Sequence, residues 1–478
     1  MSTTRRIHIE PDHSAVLTKG MCRIQADLKL PQAFPPEVEA AAATAALNPR
    51  MPALDRSDIP LVTIDPASSM DLDQAMYVQR RDGGYRVFYA IADVAAFVTP
   101  GDAIDLEANR RGETLYGADA KVPLHPNVLS EGATSLLPDQ VRPALLWTID
   151  LDGAGEGFAV DVRRARVKSR AKLDYIGVQR HVDAGSADPM WAVLREIGEL
   201  RKQREQARGG VSLPLPEQEI EVVGGRWSLS FRARLAIEDW NEQISLLTGM
   251  AGAHLMLQAG VGLLRTLPEP DPRAIERLRI TARALQIPWP AELDYPGFIR
   301  SLDPTRDAHI AMLTASTTVL RGAGYVAFNG SLPAPSTHSA LAAHYTHVTA
   351  PLRRLVDRYT GEMCIALCAK QPVPDWVQAA LPGLPTTMQA SGHRARQYEK
   401  AVLDLAEAAM LAPRVGETFD GAIVEVAATD ARKGVVIVRD QVVEASVSSD
   451  SALPLGSDVR VTLVEADPLT RITRFAGA

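Results

Sequence analysis

Apolar and polar positions change their period along the chain, and each change marks an element. Near the amino terminus a short strand-like start precedes PPEVEAAAATAAL, which predicts a Pro-started, Ala-rich helix of about three turns. From about 51 to 153 the pattern is that of strands. LVTI at 61–64 is β-branched and apolar, Pro66, Ser68 and Ser69 are turn-formers, and extended character resumes through Ala75, Met76, Tyr77 and Val78. A strand, a tight loop and a second strand follow from this. RVFYAIADVAAFV, after the DGG turn at 82–84, completes a hairpin. In VRRARVKSRAKLDY, 162–175, the mostly even spacing of six cations predicts that most lie on one strand face, either solvated or lining a phosphate-tracking wall.

The second half reads as helix. WAVLREIGELRKQREQARGG is stopped by Gly209 and Gly210, and a helical stretch runs from Arg232 to Leu264. Within it Ile244 to Leu264 is membrane-like in apolarity, but Thr248, His254, Gln258 and several glycines favour a buried helix. Residues 270–330 are helical with Pro-rich breaks, and SGHRARQYEKAVLDLAEAAML is amphipathic. Pro351 reads as the first residue of a helix whose apolar stripe is Leu352, Leu355, Val356, Tyr359 and Met363, which puts Arg353 and Arg354 in the first turn. From 413 onward GETFDGAIVEV, GVVIVRD, VEASV and DVRVTLVEADPLTRITRF give five short strands that suit an OB barrel.

At 478 residues, 46% hydrophobic and 23% charged, the chain has the make-up of a globular enzyme of several domains. Its three cysteines cannot frame a disulfide scaffold, Cys364 and Cys368 read as packing residues on a helix, and MSTTRRIHIEPD lacks an apolar signal core. A cytoplasmic, non-membrane protein is expected. The net charge of -7 argues against indiscriminate coating of nucleic acid but leaves room for a locally basic channel.

Chemistry concentrates in LVTIDPASSMDLDQAMY, 61–77. Asp71 and Asp73 are two apart, so an extended segment points them to one face, and the turn at Pro66 can return Asp65 to them. Carboxylates a few Å apart repel by roughly 4 kcal/mol per pair at an effective dielectric of about 20. A divalent cation relieves this, and all-oxygen ligation suits Mg²⁺ or Mn²⁺; the alternative is an Asp-rich surface turn capped by its own side chains. Cations in the first turn of a helix oppose its dipole, so Arg353 and Arg354 point to an anion nearby, or to a bond with Asp357. Asp93 reads as a satisfied buried group or a further shaper of the metal site, and His338, His344 and His347 as structural.

IDPASSMDLDQA, ADV at 92–94, RGETLY at 111–116 and YTHVTAPLRRLVD at 345–357 together resemble the ribonuclease II family, whose core is the RNB domain. The resemblance implies an α+β (mixed α/β) RNB catalytic domain at 51–412, a short extension with a helix at 1–50, and an S1-like OB domain at 413–478. An extension so short cannot hold the family's two cold-shock-like barrels, so RNA must reach the site by another route or with a partner's help. It also implies a Mg²⁺- or Mn²⁺-dependent hydrolytic 3′→5′ exoribonuclease that takes single-stranded RNA to nucleoside 5′-monophosphates, and a monomer is expected. Asp71, Asp73 and Arg353 would be catalytic, and Asp65, Asp71, Asp73 and Gln74 would hold metal. Tyr116 would stack on the terminal base, while Arg354, Tyr175 and Glu242 would bind substrate. Gln74 stands where the family usually has a fourth aspartate, which opens the alternative of a catalytically impaired RNA-binding or scaffold protein. The nuclease reading needs Asp73 and Arg353 around one phosphodiester in a shared cavity.

Overall fold

The strands Leu61–Asp65, Gln74–Arg81, Gly84–Ala92, Val141–Asp152 and Gly157–Asp174 close into one barrel, and Thr418–Ala427, Asp430–Val438, Val443–Ser448, Asp458–Asp467 and Ile472–Gly477 into a second, in a computed structural model that describes residues 5–8, 14–31, 33–117, 121–186, 188–215, 217–223, 226–232, 234–427, 429–438 and 443–477. The hairpin expected at the DGG turn pairs Gln74 with Ile91 and Arg81 with Gly84, and Gly83 supplies the left-handed residue with φ 77°. Five carboxy-terminal strands were expected and five are found.

Alternation decides what covers the first barrel. Tyr89, Trp147, Ile149 and Val162 meet the helices Pro189–Ala207, Ala236–Ala259 and Leu355–Cys368 in one core, while Phe88, Ala90, Leu146 and Ala165 meet the Ala-rich helix Pro36–Leu47 in another. Small residues permit the closest approaches. A Cβ on Gly198 would lie 2.6 Å from the Trp240 ring.

Four expectations are corrected. The helix expected at Pro351 begins at Leu355, because the preceding backbone is bonded elsewhere: Leu352 N–H donates to Asp73, Arg353 C=O accepts from Thr114 and Leu355 N–H donates to Gly112. The Ile244–Leu264 run is buried but not one helix. Gly260, at φ 71°, ends it, and Val261–Thr266 pairs as a strand with Gly324–Asn329. The cations of 162–175 form no single wall. Arg164 turns to Asp93 at 2.8 Å and to Glu362, Arg163 to Asp161 and Arg166 to Asp55, and a register shift opposite Leu61 and Thr63 breaks the alternation before Lys172. Asp93 is therefore a satisfied buried group. Finally, a helix at Ser14–Asp27 was not foreseen. Its Leu17, Met21 and Ile24 share a core with Leu405, Phe419 and Phe475. Among the described residues no helix is long and apolar enough to cross a membrane.

Candidate active site

Leu72 fixes the acidic loop. Fully buried, it sends its N–H to Ser135 Oγ at 3.0 Å and accepts at its C=O from Leu136, so its neighbours Asp71 and Asp73 face the opposite way. Asp73 is only 4% exposed; its Oδ1 accepts from Leu352 N–H at 2.8 Å and its Oδ2 lies 3.2 Å from Arg353 Nε. The acidic loop and the arginine turn, 280 residues apart, thus meet at one carboxylate. The Arg353 side chain remains 45% exposed, so a substrate can reach it.

Asp71 Oδ1 lies 3.1 Å from Lys121 Nζ, and its Oδ2 accepts from the Tyr116 hydroxyl at 3.2 Å. Lys121 also reaches Glu131 at 2.7 Å. Tyr116 is 43% exposed, which leaves its ring open to a base. Burial pushes Asp73 up to about 7 against the pull of Arg353 and the Leu352 N–H, with Asp357 and Asp71 adding to the rise. Burial likewise raises Asp65 to about 7, with Asp71 adding and Arg353 and Lys172 opposing.

The second wall comes from the helix Ala236–Ala259. Asn241 Nδ2 donates to the Tyr175 hydroxyl at 2.9 Å, and Ser245 pairs with the Tyr89 hydroxyl at 2.7 Å. Tyr89 in turn donates to the Gln74 amide oxygen at 3.0 Å, and Gln74 Nε2 donates to Thr349 C=O at 2.6 Å. Gln74, expected as a metal ligand, is therefore tied at both ends of its amide and braces the turn that carries Arg353. Arg354, expected as a second phosphate grip, is held by Asp357 through Nε at 2.9 Å and Nη2 at 2.8 Å. Asp357 also accepts from Ala350 N–H at 2.7 Å, so it locks the turn. Glu242 pairs with Arg234 at 2.8 Å and lines a cleft of about 490 Å³ with Lys202 and Arg300. Sequence reasoning missed Lys121, Asn241 and Ser245 as site residues, while the bond to Asp357 that it held as an alternative is the one Arg354 makes.

Among the described residues no three His, Cys, Asp or Glu side chains converge as a ready metal group. The donors nonetheless suit a hard cation. They are oxygen-only, and Asp65 has no protein donor on its carboxylate among the described residues while its pKa is raised. Lys121 and Arg353 supply the positive charge that Asp71 and Asp73 have here.

Residues 54–368 match the RNB domain family, and residues 417–478 match the RNase II-type exonuclease C-terminal S1 domain. The chain belongs to the RNB family. Among RNB relatives, ribonuclease R of Escherichia coli K12 is 27% identical over 399 residues, covering 77% of this chain and 48% of that protein. The chain spans about half the length of the curated relatives it matches. The fold is that of Mycoplasma genitalium RNase R in complex with ribose-methylated single-stranded RNA, with a TM-score of 0.84 at 20% identity, over 97% of this chain and 78% of that one. Yeast Ssd1, described as a pseudonuclease, shares it with a TM-score of 0.69 at 16% identity, over 90% and 55%.

Proposed function

We propose that this RNB chain is a hydrolytic 3′→5′ exoribonuclease that acts on single-stranded RNA and releases nucleoside 5′-monophosphates. The observation that carries the reading is the meeting of Asp73 with the half-exposed Arg353. Asp65, Asp71 and Asp73 would hold Mg²⁺ or Mn²⁺, which when bound lowers the pKa of a coordinated water and offsets charge on the leaving oxygen. Arg353 binds the scissile phosphate and stabilises the charge that builds on it, an effect whose removal typically costs about 10²–10³ in rate. The exposed ring of Tyr116 offers a platform on which a terminal base stacks without sequence choice. Both halves of the site come from one chain, which supports a monomer.

Incubating the protein with a labelled oligoribonucleotide and Mn²⁺ tests this. A ladder ending in mononucleotides is expected, and a shifted but intact band would sink the reading. A second reading, an RNA-binding protein without turnover, is favoured by Gln74, whose amide oxygen already accepts from Tyr89 where an aspartate would add negative charge. Intact RNA retained at every Mn²⁺ concentration is its signature.

A further inference from the structure

Arg265 lies half-buried in the strand Val261–Thr266, with its backbone N–H on Tyr345 C=O at 2.8 Å. Its guanidinium carbon stands 4.7 Å from the centre of the Tyr325 ring, and no carboxylate or carbonyl among the described residues takes its side-chain donors. The other two guanidinium groups of this region differ. Arg353 has Asp73, and Arg354 has Asp357.

Tyr325 is itself fixed, since its hydroxyl lies 2.6 Å from His347 Nδ1. The charges of Arg354, Arg265 and Arg353 all act on that buried imidazole, and with its burial they keep it neutral. Arg265 is thus joined to the buried His347 ring through Tyr325. The segment from Tyr345 to Thr349 runs from the backbone of Arg265 to the Gln74 brace beside Asp73, and four residues span at most about 14 Å. Glu113 is an acid within electrostatic reach, yet it makes no ion pair with Arg265, and its Oε1 is buried with no partner among the described residues. A planar cation with five free donors, connected to the Asp73–Arg353 site through Tyr325, His347 and the segment that ends at Thr349, suits a second phosphate oxygen pair.

We propose that Arg265, steadied by the Tyr325 ring, binds the backbone phosphate adjoining the scissile one, so that RNA is gripped at two successive phosphates. This rests on the reading of the Asp73–Arg353 site as one that holds a phosphodiester of RNA. The test is equilibrium binding in EDTA of two probes, a dinucleoside monophosphate with a single phosphodiester and an oligouridylate of about 4 nucleotides. Arg265→Gln should weaken the oligouridylate about tenfold or more and leave the dinucleoside monophosphate unchanged. The slope of log affinity against log salt for the oligouridylate should fall by about 0.7, the share of one contact on a single strand.

Equal loss on both probes, no loss on either, or an unchanged slope would overturn the proposal. Arg265→Lys keeps the charge and should keep the slope even if Arg265→Gln fails to fold; a slope lost with lysine too would refute a phosphate contact. Glu113→Gln should also keep the slope, and a loss matching that of Arg265→Gln would show that Arg265 serves Glu113 instead. Binding without any turnover by the unsubstituted chain sinks the nuclease reading alone, whereas no binding of RNA sinks both.

Discussion

Asp73 is bonded on both oxygens to the turn it faces, so its charge and its shape can be separated by one substitution. Asp73→Asn keeps an oxygen for the Leu352 N–H but removes the charge opposite Arg353. The expected outcome is RNA binding within a few fold of the parent and mononucleotide release reduced by about 10³ or more, read by gel shift and by product chromatography; unchanged turnover would refute the site. The neighbouring arginines should behave differently from one another. Arg353→Lys should lower turnover by about 10²–10³ with the melting temperature nearly unchanged, because the side chain is half-exposed. Arg354→Lys should instead lower stability by roughly 1–3 kcal/mol, since it breaks a two-bond contact to a buried carboxylate. That like charges in a short loop and cations at a supposed helix start each need a partner was legible from the residues, but that Asp73 and Arg353 share one site came from the family resemblance, and their direct contact was not foreseen. The bond of Arg354 to Asp357 was one of two readings the sequence left open, but the role of Gln74 was not legible, since its partner Tyr89 is chosen by the path of the backbone rather than by residue type.

Strands and caps were legible where the local pattern and the packing agree, as in the hairpin at Gly83. They failed where a distant group takes a backbone donor. Pro351 has every mark of a helix start, yet Asp73, from the other half of the site, claims the next N–H and delays the helix to Leu355. The neighbouring antiparallel strands Gly84–Ala92 and Val141–Asp152 carry a cross-strand pair whose contribution depends on pH. Arg86, opposite Asp150, donates to it at 2.6 and 2.8 Å, and Arg81 joins them. These bonds, those of Arg86 first, hold the Asp150 carboxyl below its usual value. A depressed folded pKa means the pair stabilises above the unfolded value of about 3.9 and ceases to do so as pH falls through the folded one. Asp150→Asn should therefore cost about 1–3 kcal/mol at pH 7, and urea midpoints of variant and parent should converge in acid. A gap of the same size at both ends would show that packing, not charge, is what the residue contributes.

At the scale of the molecule, the long helix Leu384–Leu411 joins what the sequence divides. Its carboxy-terminal half shares one core with the carboxy-terminal barrel and the unforeseen helix Ser14–Asp27, where Asp27 also meets Arg471 at 3.0 Å. Its amino-terminal half packs against Gly112, which accepts from Leu355 N–H just after the turn that carries Arg353, and a Cβ on Gly112 would lie 2.5 Å from Ser391 Cβ. The expectation of a small extension at the amino terminus thus understated it: an amphipathic segment whose partner lies some 390 residues later gives no local sign of where it docks. Gly20 is the close approach in that contact, because a Cβ there would stand 2.6 Å from Leu405 Cδ1. Gly20→Val forces the two helices apart, and overpacking of this kind typically costs about 1–3 kcal/mol. The core of the first barrel does not include Leu405, so the Asp73–Arg353 contact should survive. Amide exchange should accordingly quicken in 14–27 and in the strands of the carboxy-terminal barrel while those of the first barrel keep their protection. Equal loosening of both barrels would mean that the long helix transmits the strain, and that the molecule opens as one unit.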